Sequence, residues 1–460
     1  MPSKAFPLAH SLVLQFLELN KYHKTLNAFR EEASEVIIEN SEVFRQSPEK
    51  NLIDLVDEHL ISRMTDRLGK LSLQRQIEEE LNQSGNENIP RFLYDTFNQI
   101  HDANILSVRT QNLPITNFLE GENEYAYSHV TAIVTGSADK SIKFTSLLTR
   151  DTFNTLQVHK SPVLCVDFHP DYPTLMLSGS MDSTVVLVNV NTNETLQTFK
   201  DHSKYVIHAR FSPDGSMFAT ASHDHTVNFY KMLPPSTVPN TPRSPASPRS
   251  PTFNNQIDIK YAKVHSMIFT GNVEAFCFLP NNESLVIGVR EDNYLHYVDL
   301  VNFQDTKYNM NENGDEWVSF TPMDISPSPH NNGKYLLVST DDETGRQILF
   351  LVNSDVQVRN FYGARVNKFS TPRHCWHPSG KYFYVTDDTK GDICIFDVAT
   401  AKIIGRLEGH TSIVKSLWFD IERDLLISCG FDKTIRVWGV TDVTPEGSIA
   451  SSENVSDTEK

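Results

Sequence analysis

Between Leu425 and Trp438 the chain reads LLISCGFDKTIRVW: an apolar run, small residues, an aspartate, and a second apolar run that begins within two residues of it. Two short apolar runs joined by a tight polar link spell a β-hairpin. A hairpin turn leaves backbone N–H groups unpaired, and an aspartate at its start accepts from them. The same arrangement returns in IVTGSADKSIKFT (Ile133 to Thr145), MLSGSMDSTVVLV (Met176 to Val188) and FATASHDHTVNFY (Phe218 to Tyr230), so Asp139, Asp182, Asp224 and Asp432 are each expected to fix a hairpin.

Ahead of these hairpins runs a second recurring phrase, an apolar residue followed five positions later by an aromatic or isoleucine and, two beyond that, by proline. Its copies are Val163, Phe168, Pro170; Val206, Phe211, Pro213; Val273, Phe278, Pro280; Phe320, Ile325, Pro327; Thr371, Trp376, Pro378; and Val414, Phe419, with Ile421 in place of the proline. A period of forty-odd residues made of short strands implies radial or stacked repeats, because one such unit cannot bury its own apolar face. The pattern resembles WD40 repeats over roughly residues 104 to 440.

That resemblance implies an all-β, seven-bladed propeller, with a seventh blade built on the Ile133 hairpin and ITNFL (Ile115 to Leu119) serving as its first strand. It also implies a buried polar chain in several blades: His410, Ser428, Asp432 and Trp438 in the last, His159, Ser178 and Asp182 in the second, and His202, Thr220 and Asp224 in the third. His, Ser and Asp are also the residue types of a hydrolase triad. Recurrence at the repeat period favours a structural role, since an enzyme needs one site and not a copy per blade, and a buried polar chain is worth keeping when every member is paired. A hydrolase at the channel mouth, dependent on His410, is the rival reading.

A ring of blades must hide its sheet edges. After Trp438 no apolar strand follows, so NILSVRT (Asn104 to Thr110) is expected to supply the outer strand of the last blade, with residues 441–460 a disordered tail. The gap from Val206 to Val273 carries PPSTVPNTPRSPASPRSPTFNN, a Ser/Pro-rich insert at about 232–256 that reads as a disordered loop between the third and fourth blades. Thr241, Ser244, Ser247 and Ser250 each precede proline there, near Arg243 and Arg249, which makes them phosphorylation candidates whose modification would reverse a local positive charge.

The first hundred residues differ in character, with apolar positions at helical spacing. Leu12 to Ala33 reads as two short helices meeting near Asn20 and Lys21. Leu12, Phe16, Leu17, Tyr22, Thr25, Phe29 and Glu32 resemble the LisH motif, although Lys21 stands where the motif has glycine. Such a pair is too small to hide its apolar surface alone. The resemblance implies a homodimerisation element at residues 1–40 using Leu12, Phe16, Leu17, Tyr22, Thr25 and Phe29. A helical extension over 41–103 follows, with Asn51 to Gln83 carrying one apolar face and Ile89 to Ile100 a last helix.

The 460 residues thus divide into a helical module and a propeller. The net charge of −17 argues against nonspecific nucleic-acid binding, which rests on Lys and Arg neutralising phosphates. The five cysteines lie in apolar runs with no CxxC pair, the usage of a reducing compartment, and neither an N-terminal signal nor a run of eighteen apolar residues is present. Nucleus, cytoplasm or both are the expected locations. With no phosphate-cradling glycine loop, no HExxH and no GxSxG, no cofactor or metal is expected and the chain reads as a non-enzymatic scaffold or adaptor, a phosphoprotein that binds partner proteins as part of a larger complex. Transcription, RNA-processing and ubiquitin-ligase assemblies share this layout. Partner contacts are expected on the face where first strands enter, one residue before each opening position: Pro162, Tyr205, Asn272, Ser319, Ser370 and Ile413, with Trp317 and Arg365 nearby. Tyr205 and Ile413 are the strongest anchors, being apolar in a polar rim.

Overall fold

The structure is a computed structural model that describes residues 5–34, 52–53, 56, 75–82, 85, 87–119, 124–234, 259–367 and 371–441. It divides into two compact units, residues 1–80 and 81–460. In the first, α1 (Ala5–Leu19) and α2 (His23–Glu32) form a helical hairpin. At its turn Tyr22 N–H donates to Leu17 O at 2.9 Å and Lys21 N–H to Glu18 O at 3.1 Å, the paired bonds of a Schellman cap. Lys21 sits at φ 60°, the left-handed cap position where glycine is commonest, so the departure from glycine changes the cost of the turn and not its path. Leu12 and Leu26 are buried; Phe16, Leu17 and Phe29 are half-buried; Tyr22 and Thr25 are exposed. Most of the expected helical extension between residues 41 and 74 lies outside the described residues, as do the insert's Thr241, Ser244, Ser247 and Ser250 and the tail beyond 441.

The second unit holds seven four-stranded antiparallel sheets. Six of them use four consecutive strands with the first innermost, and neighbouring sheets pack face to face through alternating apolar side chains. Phe144, Val163, Phe168 and Val188, for example, share one cluster between the first and second blades. The middle strands are buried on both faces, as Leu175–Ser180 and Met217–Ser222 show, which is why they read as near-continuous apolar runs.

Ring closure differs from the sequence expectation. The outer strand of the last blade is β1 (Phe92–Phe97), paired antiparallel with Ile435–Gly439 from Phe92↔Gly439 to Phe97↔Ile435. The stretch Ile89 to Ile100, expected as a helix, is therefore strand at its centre. Asn104 to Thr110, expected as the clasp, begins β2 (Ile105–Leu119), the inner strand of the first blade, and Ile115 to Leu119 is the far end of that same strand, paired with β3 (Glu124–Ser137). Ile105 faces Ser137 as Val163 faces Ser180, but Thr110 and Asn112 stand where Phe168 and Pro170 stand in the next blade, so the recurring phrase was lost there.

Two smaller corrections follow. In the fifth blade the strand opens at Pro322, opposite Thr340, so Phe320 precedes the strand. The Ser/Pro insert is flanked by Thr226–Met232 and Tyr261–Ile268, the third and outer strands of the third blade, and so interrupts that blade rather than separating it from the fourth. A β-bulge recurs two residues into six inner strands, at Ile105/Ser107, Val163/Cys165, Val206/His208, Val273/Ala275, Pro322/Asp324 and Val414/Ser416. Bulges bend a strand and re-aim its side chains, here at the lining of the central channel.

Candidate functional site

Each hairpin aspartate is seated by its own turn. In the last blade Asp432 Oδ1 accepts Thr434 N–H at 3.0 Å and its hydroxyl at 2.9 Å, and the intervening Lys433 lies at φ 63°. Asp139, Asp182 and Asp224 repeat this with Ser141, Thr184 and Thr226, across Lys140, Ser183 and His225 at φ between 68° and 75°. The aspartate's other oxygen reaches a histidine on the loop that enters the same blade. His410 Nδ1 lies 2.7 Å from Asp432 and its Nε2 2.8 Å from Ser428 Oγ, which also accepts Trp438 Nε1–H at 2.9 Å. His202 bridges Asp224 at 3.0 Å and Thr220 at 2.7 Å. His159 stands 3.3 Å from Asp182 and 2.8 Å from Ser178.

A fourth set escaped the sequence reading. His101 Nδ1 lies 2.8 Å from Asp139 and Nε2 2.8 Å from Thr135 Oγ1, joining the clasp segment to the first blade. The signal was present as a His far ahead of a hairpin Thr-x-x-x-Asp, and a helical reading of the preceding residues hid it. Burial is the largest cause holding His101, His159 and His202 below the ordinary imidazole range, so each is neutral. A neutral ring that gives Nδ1–H to aspartate must accept at Nε2, which makes the Ser or Thr hydroxyl the donor there. Burial raises Asp432, but the bond and charge from His410 outweigh it and hold the carboxyl down to about 2.

The His–Ser–Asp order has the connectivity of a hydrolytic triad, yet Ser428 and Ser178 are completely buried and Thr220 as well. No substrate carbonyl can reach an oxygen already held between an imidazole and an indole, and two of the four sets carry threonine. The geometry ties the entry loop to the hairpin turn and fixes the rim of the disc. The thiols are equally unsuited to nucleophilic work: desolvation pushes Cys165, Cys277, Cys375 and Cys394 up to about 12, and all five cysteines are free. Among the described residues no group of three or more His, Cys, Asp or Glu could hold a metal.

These buried imidazoles carry a consequence for acid stability. His101, His159, His169, His202, His208, His374 and His377 all titrate lower in the folded chain, burial being the largest cause in each. The unfolded chain then binds more protons below about pH 6.5, so stability falls as pH drops through that range. His296 opposes this. Burial lowers it, but Asp292 at 3.1 Å and Asp305 at 2.8 Å raise it overall, so its contribution is complete below about 6.5 and is lost as pH rises through its folded value. Seven against one sets the sign. The melting temperature should fall from pH 7 to pH 5.5, and a flat or rising profile in differential scanning calorimetry would refute the assignment.

The entry rim is built by one repeated backbone bond. The carbonyl one residue before each inner strand accepts from the hairpin turn of the same blade: Asn104 from Ala138, Pro162 from Met181, Tyr205 from His223, Asn272 from Arg290, Thr321 from Asp341 and Ile413 from Phe431, at 2.8–3.2 Å. In the sixth blade Arg365 O takes Asp388 N–H at 3.0 Å. Thr321, not Ser319, thus holds the fifth rim position, and Ser370 lies outside the described residues. Side chains on this frame differ in reach. Tyr205 is 45% exposed with its ring against His223, and Trp317 is 81% exposed, while Pro162 and Ile413 are half-buried and Arg365 is exposed. Tyr362, on the loop entering the sixth blade, is 54% exposed and was missed because it belongs to no repeated phrase.

Residues 151–189, 193–231 and 401–439 match the family model of the WD domain, G-beta repeat. Each match opens on the outer strand of one blade and closes on the third strand of the next, so the sequence repeat and the blade are one strand out of phase. The three matched segments are those containing His159, His202 and His410 with their aspartates. The chain carries WD40 repeats in a seven-bladed propeller. A stretch of 63 residues, 14% of the chain, is 35% identical to pre-mRNA-processing factor 19 of Homo sapiens, Mus musculus and Rattus norvegicus, and spans 12% of those proteins' length.

Proposed function

We propose that this WD40 protein is a non-enzymatic scaffold that binds partner proteins on its entry rim and joins two copies through its N-terminal helical hairpin. The observation that carries the reading is the exposure of Tyr205 on a rim whose backbone is pinned by the hairpin turns, with Trp317 exposed on the loop four residues ahead of that rim's Thr321. Large amphipathic side chains held on a rigid frame lose little entropy on binding and are enriched among residues that dominate interface energetics. The apolar spacing of the helical hairpin resembles that of a LisH motif, and the half-buried Phe16, Leu17 and Phe29, beside the exposed Tyr22 and Thr25, are the surface assigned to a second copy. Linking two discs raises avidity without new contacts.

Among assemblies of this layout, a complex that processes RNA is favoured by the likeness to pre-mRNA-processing factor 19; ubiquitin-ligase and transcription complexes are the alternatives, in nucleus or cytoplasm. Thr241, Ser244, Ser247 and Ser250 of the Ser/Thr-Pro insert, each ahead of a proline, are its phosphoacceptors in this reading.

Affinity capture with intact protein, a Phe16→Glu/Phe29→Glu variant and a Tyr205→Ala/Trp317→Ala variant tests both surfaces. The helical variant should run at half the native mass and keep partners more weakly. The rim variant should keep its mass and lose at least tenfold in partner affinity, about 1.4 kcal/mol or more, as expected for anchor residues. If both variants retain native mass and native affinities, both surfaces are wrongly assigned, and a partner set free of RNA-processing proteins would set that alternative aside.

A further inference from the structure

The inner strands enclose a cavity of about 330 Å³ on the propeller axis. Its wall carries four cationic side chains, Arg109, Arg210, Arg373 and Lys415, in a chain whose net charge is −17. Two of the four are matched. Arg109 pairs with Asp167 and lies 4.2 Å over the Trp418 ring, and Arg373 lies 3.4 Å from Asp324, which also accepts His374 N–H at 3.0 Å. The other two are not. The Arg210 side chain makes no hydrogen bond or ion pair with a described residue, and Lys415 donates to the neutral hydroxyl of Thr371.

Arg210 stands where the blades converge, close enough for its charge to bear on Arg109, Cys165, Cys277, Asp324 and His374, which belong to five other blades. Burial first, and then the Arg373 charge, push Lys415 down to about 8 against the opposing charges of Asp388 and Glu274, neither of which forms an ion pair with it. His208 and His374, also on the wall, are held neutral by burial and by these same arginines, so they add no positive charge; His208 Nε2–H donates to Glu274 O at 3.1 Å, and the His374 ring is held between the Ser326 and Ser339 hydroxyls. Unmatched cations in a confined, low-dielectric space are costly alone and strong toward an anion that enters.

We propose that the axial channel binds a phosphoryl group, with Arg210 and Lys415 as its charge partners. A dianion matches the two unpaired cations, whereas a carboxylate would leave one of them over. Arginine supplies a planar fork suited to phosphate oxygens and lysine a point charge beside it. The overall negative charge of the chain repels a nucleic-acid backbone. The phosphoryl group can come from a free inorganic phosphate or from a phosphorylated side chain reaching in from the rim. This site is separate from the rim contacts and does not depend on them.

Calorimetric titration at constant ionic strength, with inorganic phosphate in one arm and a phosphoserine peptide beside its unphosphorylated twin in the other, tests the site. Binding in either arm identifies the source. Arg210→Gln should weaken that binding at least tenfold and Lys415→Gln at least fivefold, with the far-ultraviolet circular dichroism of both variants unchanged, while Tyr205→Ala/Trp317→Ala should leave it intact. The proposal is overturned if neither probe binds the native protein, or if folded Arg210→Gln binds as the native protein does.

Discussion

A chain that begins at residue 98 should fail to hold a closed ring, while one that begins at residue 85 should keep it. The segment between them is packed along its length. Tyr382 Oη donates to Gly85 O at 2.6 Å, Lys381 pairs with Glu87 at 2.9 Å, Ile89 joins the cluster of Tyr384 and Trp438, and β1 then pairs with Ile435–Gly439 while Asp95 holds Arg150 at 2.9 Å. Burying Ile89 and Phe97 alone contributes about 3–6 kcal/mol, a large part of the ~5–15 kcal/mol that holds an ordinary domain. Without β1 the third strand of the last blade becomes an open edge, a template for association. Size-exclusion chromatography with light scattering and a thermal melt read the outcome. A monodisperse chain from residue 98 melting within about 2 °C of the longer one would show that β1 is dispensable, since 1 kcal/mol moves the melt by roughly that much in a unit of this size.

Trp438→Ala should cost about 3–5 kcal/mol and Trp438→Phe about 1 kcal/mol. The indole is 2% exposed, packs among Ile89, Tyr384, Leu417, Phe419 and Leu426, and donates Nε1–H to Ser428 Oγ. Alanine removes the apolar contact, opens a void under the clasp and strips a donor from the hairpin network. Phenylalanine keeps most of the volume and loses the donor alone, while Ser428 remains bonded to His410. Urea unfolding of the two variants separates packing from hydrogen bonding. Equal costs would mean that the polar network, not the indole's bulk, carries the residue's contribution.

Where the repeat speaks, the sequence was easy to read. Asp182, Asp224 and Asp432 lie at hairpin turns within hydrogen-bond reach of the entry loops, because turn chemistry is local and leaves its mark in adjacent residues. Closure was harder. NILSVRT and RFLYDTF both alternate well enough to be strands, and which of them finishes the last blade depends on a partner more than three hundred positions away. β1 further disguises itself, since its buried positions include Asp95 and its exposed positions Phe92 and Leu93. The rim followed the same rule: Tyr205 is found by its place in the phrase, whereas Trp317 and Tyr362 owe their exposure to loop paths that no local pattern records.

The clasp also sets a timetable for synthesis. Ile435 follows its partner Phe97 by 338 residues, so at ~5–20 residues per second a growing chain carries β1 without its mate for roughly 17–70 s of translation. Six complete sheets can assemble behind the ribosome in that interval, each from its own neighbouring strands, while the last waits for Ile435–Gly439 to be made. During that wait β1 is an orphaned ribbon, the kind of segment that nascent-chain chaperones shield. Ring formation is then a late, long-range event whose timing is written into where the first strand of the disc is encoded.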